Sequence, residues 1–219
     1  MRKSTPIQFV FRVGIYCLGL MLIALGVAVS VNSNLGISPV NSLPYVISLI
    51  VNVPLGTCVT IIFCFYILLQ FLILRRQFNP IDLLQIVFSS IFGYFVDFAK
   101  VLVGSWALPG YIGQLVMLAI SIILIALGVL LYMEVQLVPM PMEGLSATIA
   151  KKLNMPFHTM KTIVDCIVVI TGVLLSFAIL GRLEGIREGT IITAAITGKV
   201  IGLMKKPLSP HINKISFGK

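Results

Sequence analysis

The stretch Leu137-Val138-Pro139-Met140-Pro141-Met142-Glu143-Gly144-Leu145, followed by Asn154-Met155-Pro156-Phe157-His158-Thr159 and a long apolar run carrying Lys161 and Asp165, decides how this chain is read. Two proline breaks and several ionisable groups lie inside sequence otherwise as apolar as lipid. Hydrocarbon tolerates irregular backbone and charge only where protein or a water-filled cavity surrounds them. The same frame stands 102 residues earlier. Ile23-Ala24-Leu25-Gly26-Val27 recurs as Ile125-Ala126-Leu127-Gly128-Val129, and Leu35, Pro39, Leu43 and Ile47 recur as Leu137, Pro141, Leu145 and Ile149. Asn52, Pro54, Thr57, Thr60, Ile61 and Cys64 then fall on Asn154, Pro156, Thr159, Thr162, Ile163 and Cys166. That is 15 identities in one register over residues 23–64, more than shared apolar composition explains. The chain reads as a duplicated membrane unit.

Composition agrees. The chain is 58% hydrophobic and 11% charged, with a mean hydropathy of +1.09, and runs of about 20 apolar residues recur along its length. The net charge of +9 lies in clusters between apolar spans, as the positive-inside bias places it, so nucleic acid is excluded as a partner. Cys17, Cys58, Cys64 and Cys166 show no metal-ligand spacing and read as reduced packing residues. The apolar run from Ile7 to Val31 is too long for a cleaved signal and reads as the first span.

The expected fold is all-α and polytopic. The first repeat (1–108) has helices at about 7–31, 57–74 and 81–103 and a short one at 38–51. The second (109–204) has helices at about 113–133, 157–180 and 187–204 and a short one at 142–153; residues 205–219 form a basic tail, disordered or at the surface. A helix over 38–51 reaches only ~20 Å, against ~30 Å of hydrocarbon. If both short segments re-enter, each unit has three full spans and the units are inverted. Arg12, Arg75, Arg76, Lys151, Lys152 and the termini then share the cytoplasmic face, opposite Arg182 and Arg187. Parallel four-span units are the alternative. Arg12 is expected to snorkel to the near interface. Ser89, Gly93 and Asp97 align with Ala194, Gly198 and Gly202 as a small-residue ridge, so the last helices of the two units are expected to pack closely, on each other at the pseudo-twofold.

The chemistry-bearing residues cluster at the breaks. His158, Lys161, Thr162 and Asp165 share one helical stripe, and Lys161 and Asp165 are one turn apart. The pair either neutralises itself and fixes helix rotation, or is poised in an aqueous cavity. Its first-unit equivalents, Val59 and Phe63, show that packing symmetry does not require charge. Glu143 sits in the first turn of its short helix, where free N–H groups and the dipole favour a carboxylate, and Asn41 is its repeat partner. Inverted-repeat transporters build central sites from such broken helices. Asn41, Glu143, Thr57, Thr60, Thr159, Thr162, Lys161 and Asp165 are therefore the candidate substrate-binding residues. Threonines in membrane helices also bond their own i−4 carbonyls, the plainer role. Glu143, Asp165 and Asp97 are candidates for proton coupling, since protonation removes a charge from low dielectric. Arg187 and Glu188 are candidate gate residues, with snorkelling and capping as the simpler alternative.

No nucleophile elbow, zinc-protease, Walker or paired-cysteine motif occurs, so neither an enzyme, a cofactor nor a metal is implied; only Asp97, Asp165 and Lys199 keep an intramembrane enzyme open. Leu35-Gly36-Ile37-Ser38-Pro39 and Gly185-Ile186-Arg187-Glu188-Gly189-Thr190 resemble the YczE/YyaS/YitT-like bacterial membrane proteins. The resemblance implies a bacterial cytoplasmic membrane and names no substrate. The functional expectation is a small secondary transporter of a polar or charged solute, with the bilayer and that solute as partners and a homodimer admitted. A substrate-binding subunit of an ATP-driven complex and a membrane assembly factor are the alternatives.

Overall fold

The computed structural model describes residues 6–217; Arg2, Lys3 and Lys219, on which the charge argument also draws, lie outside the described residues. All regular elements among these are helical: α1 (Pro6–Ser33), α2 (Pro39–Val51), α3 (Leu55–Leu74), α4 (Leu84–Val103), α5 (Gly110–Glu134), α6 (Pro141–Leu153), α7 (Phe157–Leu175) and α8 (Glu188–Phe217). Short 3-10 turns link α3 to α4, and a π-helical turn, Ser176–Leu180, closes α7. Among the described residues five segments are long and apolar enough to cross a membrane: Ile7–Ser33, Leu55–Gln77, Pro80–Val103, Gly110–Glu134 and Phe157–Leu180. The chain is an all-helical protein of membrane type.

The last helix departs from expectation. It does not stop near residue 204 but continues through Pro207 and Pro210 to Phe217, and Lys199, Lys205 and Lys206 leave it less apolar than the five spans. The cause is Glu134 at the end of α5. It accepts from Ser209 Oγ (2.7 Å) and Asn213 Nδ2 (3.3 Å) and pairs with Lys205 (3.2 Å). These bonds tie the expected loose tail to the bundle. Arg12 likewise stays inside: it is 2% exposed and donates to the carbonyls of Val135 (2.7 Å) and Gln136 (3.1 Å). A guanidinium at the orphan carbonyls of a helix end is favoured by both hydrogen bonding and the dipole, so it has no need to snorkel.

The backbone breaks repeat with the sequence. α2 and α6 each run 13 residues from a first-position proline to an asparagine in the left-handed region, Asn52 (φ 53°) and Asn154 (φ 52°). Asparagine tolerates that conformation, and Pro54 and Pro156 then start the next helix in extended geometry. Asn34 (φ 57°) and Gln136 (φ 50°) are a second left-handed pair, also 102 apart.

α1 and α5 cross in antiparallel contact. A Cβ on Gly19 would lie 2.7 Å from Gly128 O, and one on Gly128 would lie 2.5 Å from Gly19 O. One on Gly26 would lie 3.0 Å from Ser121 O. Exchanging the units by 102 residues converts the first contact into the last, and Ile23 and Ile125, each against the other helix's glycine, exchange with one another. The remaining pairings follow suit: α2 packs on α7 and α6 on α3, while α4 lies against α1 and α8 against α5. The α1–α5 seam thus replaces the expected α4–α8 contact, because its glycines let two backbones meet. One pairing is unmatched. α3 packs tightly on α4, but α7 and α8 make no comparable contact.

Gly128→Val should lower the unfolding free energy by about 1–3 kcal/mol through overpacking. Gly14→Ala, where a Cβ meets nothing within 4 Å, should leave it unchanged. Thermal unfolding in detergent compares them, and equal melting temperatures for both variants would show that the seam is not close-packed.

Candidate functional site

Asn41 on α2, Glu143 on α6, and Lys161 and Asp165 on α7 line a single cavity of about 250 Å³. Both short helices present their N-terminal turns to it: Ser38, Pro39 and Val40 precede Asn41, and Met140 and Met142 precede Glu143. Pro39 and Pro141 start these turns where a missing N–H is harmless and φ is already helical. Ile23 and Ile125 from the α1–α5 seam, Phe92 of α4, and Thr193, Thr197 and Ile201 of α8 complete the walls.

The polar groups are held in different ways. The Tyr132 hydroxyl, from the last turn of α5, donates to Glu143 Oε2. Lys161 Nζ donates to Asp165 Oδ1. That pair runs with the cation N-terminal to the carboxylate, the less favourable order for helix stability, so local stabilisation alone is a poor reason for it. Asn41 is 3% exposed; its amide N–H donates to Ser38 Oγ (3.2 Å), and its Oδ1 has no partner. Thr197 Oγ1 is also buried without one. Buried polar atoms without partners are rare, and on the wall of a cavity they are free to meet a ligand.

The chamber widens towards the end of the bundle where α5 finishes. A space of about 620 Å³ shares Tyr132, Glu143, Lys161 and Gly198 with it and reaches Gln136, Pro139, Ala147 and Phe157. Phe157 and Lys161 of α7 and Gly198 and Ile201 of α8 all line it, and a Cβ on Gly198 would touch nothing within 4 Å. In the first unit the matching seam is shut. A Cβ on Gly56 would overlap Gly93 O, and Gly56 N–H donates to Asp97 Oδ1 (2.7 Å). Asp97 therefore caps α3 and does not line the chamber.

The repeated threonines also fall elsewhere. Thr57, Thr60 and Asp97 line a separate cleft of about 200 Å³ between α3 and α4. Thr60 donates to Gly56 O (2.9 Å) and the exposed Thr162 to His158 O (3.0 Å), each its own i−4 carbonyl; neither Thr159 nor Thr162 lines the chamber. The exposed Lys199 does not line it either. Arg187 and Glu188 sit at the opposite end. Arg187 donates to Asn34 O (3.0 Å) and pairs with Glu188 (3.2 Å). Around them Ile37 N–H donates to Gly185 O (3.0 Å) and Gly189 N–H to Leu35 O (2.7 Å), so the two stretches that carry the family resemblance are zipped together. The sequence reading missed Ser38, Tyr132, Thr193 and Thr197. Thr193 and Thr197, one turn apart on the stripe that ends at Ile201, were the available signal.

Fold and site define an all-helical membrane-type protein with a charged chamber at its helix breaks. A family of unknown function, DUF6198, matches residues 10–206, and the chain belongs to that family. It is similar to the uncharacterized protein YyaS of Bacillus subtilis (strain 168), with 22% identity over 197 residues, covering 90% of this chain and 93% of that protein. No solved structure matches. Every chamber-lining residue lies within the matched span.

Lys161→Met and Asp165→Leu should each destabilise the protein, and the double variant should lose less than their sum. The expected coupling is about 0.5–3 kcal/mol in a double-mutant cycle read by thermal unfolding. Additive losses would show that the two groups do not depend on each other.

Proposed function

We propose that the chain is a small secondary transporter that carries a polar or charged solute across a bacterial cytoplasmic membrane by alternating access, with protonation of Glu143 or Asp165 as coupling. The observation that carries this reading is the convergence of Asn41, Glu143, Lys161 and Asp165, from three helices and both units, on one cavity. Charged groups inside a membrane bundle are costly and mark pathways of substrates and ions.

The antiparallel α1–α5 seam and its exchange-related contacts support an inverted repeat, with α2–α3 and α6–α7 each acting as one broken crossing. Asp97, which holds Gly56 at the start of α3, stands seven residues before Gly104, whose carbonyl takes Asn32 at the end of α1. The α2–α3 break therefore lies ~10 Å inside the bundle end. Arg12 at the α5 C-terminus and Arg187 beside Asn34 mark opposite faces. The excess of Lys and Arg at the Arg12 face supports cytoplasmic termini. One seam shut and the other open is what alternating access requires of two related units. Neither an enzymatic step nor a cofactor belongs to this reading.

Proteoliposomes under an imposed proton gradient should accumulate a solute that also raises the melting temperature, by an amount equivalent to ~2.7 kcal/mol at a hundredfold excess over its Kd. Glu143→Gln and Asp165→Asn should abolish uptake. Uptake untouched in both variants would remove the site, strict dependence on ATP and a co-purifying ATPase would make the chain a binding subunit, and the lack of any stabilising solute would favour an assembly factor.

A further inference from the structure

Resting on that reading, we propose that the cargo is a small lipophilic organic monocation with at least one N–H, an amphipathic amine. The first ground is charge. Glu143 and Asp165 stand against Lys161 alone, and among the described residues no other charged side chain lines the chamber or its wider mouth. Two carboxylates less one ammonium leave one negative charge uncompensated. In a low-dielectric setting such a charge is neutralised by a proton or by a counter-ion, and a monocation that takes the proton's place supplies the second.

The second ground is the disposition of donors and acceptors. The side-chain donors best placed to greet an anion each already make a bond within the site: Lys161 to Asp165, the Asn41 amide to Ser38, and the Tyr132 hydroxyl to Glu143. Of the oxygens left over, Asn41 Oδ1 can only accept, while the Thr197 hydroxyl can accept or donate. A site that offers spare acceptors and one net negative charge selects a cation that donates hydrogen bonds.

The third ground is the wall. Ile23, Phe92, Ile125, Val129, Met140 and Met142 present hydrocarbon, aromatic and thioether surface. Such walls cannot replace the hydration shell of an inorganic ion or a polyamine, but they do stabilise an apolar body attached to an ammonium. At about 250 Å³ the chamber falls below the ~300–1,000 Å³ of ordinary ligand pockets, so the body is small.

The test uses the purified full chain and radiolabelled 2-phenylethylamine, with 2-phenylethanol, phenylacetate, putrescine and the trimethylated quaternary analogue as competitors. The amine should bind saturably and be displaced by itself, less well by the quaternary ion, and not by the alcohol, the acid or the dication. Loss of one charge-assisted bond in Glu143→Gln should weaken the amine about 10–100-fold. Asn41→Leu should weaken the amine but leave the quaternary ion's affinity unchanged, which also shows that this variant is folded. Should Glu143→Gln not fold, Asn41→Leu and the wild-type competition series still decide. Equal binding of the alcohol or the acid would overturn the cation assignment while leaving a transport site in place. If no probe of any charge binds, the amine cargo is overturned, and the transporter reading is decided separately by the proteoliposome uptake.

Discussion

The contact between α1 and α5 governs the rest of the molecule. Where Gly19 meets Gly128 and Gly26 meets Ser121, neither helix carries a side chain large enough to hold the backbones apart. Lipid offers no hydrophobic drive for two apolar helices to associate, so close packing must supply the attraction, and glycine makes it available. The helices run antiparallel, which is the relation the proposed inverted repeat needs. Ile23 packs against Gly128 and Ile125 against Gly26, and both line the chamber.

From that frame the two units diverge. In the first, Gly56 and Gly93 touch backbone to backbone and Asp97 fixes the start of α3. In the second, the corresponding positions are His158, Gly198 and Gly202, and among the described residues no hydrogen bond ties α8 to α7. The opening beside Glu143 and Lys161 follows from this difference. A carboxylate at position 97 and a glycine at 202 amount to a lock in one unit and its absence in the other. At the far end the loops around Gly36 and Gly185, both at positive φ (111° and 71°), are hydrogen-bonded to each other.

Much of this was legible because it is local or periodic. The breaks at Asn52-Val53-Pro54 and Asn154-Met155-Pro156 follow from chain stereochemistry, and the i, i+4 spacing of Lys161 and Asp165 guarantees one face. Asn41 and Glu143 were legible through the repeat register. What the sequence could not disclose is which neighbour reaches a given group. Asp97 looked like an unpaired membrane carboxylate until α3 presented an N–H to it, and Arg12 looked interfacial until α5 ended beside it. The repeated threonines were misleading for a physical reason: a hydroxyl in a helix satisfies itself on its own backbone and needs no ligand. Glu134 held the tail through bonds to residues more than seventy positions away, beyond any local pattern.

The most direct measurement is the reactivity of Gly198→Cys with a membrane-impermeant maleimide, in a chain whose four native cysteines are replaced by serine. If water fills the space between α7 and α8, the thiol is labelled from the face that carries Arg12, and an amine that occupies the chamber slows the labelling. A thiol inert from both faces, like one turned into lipid, would contradict a wet chamber at this seam.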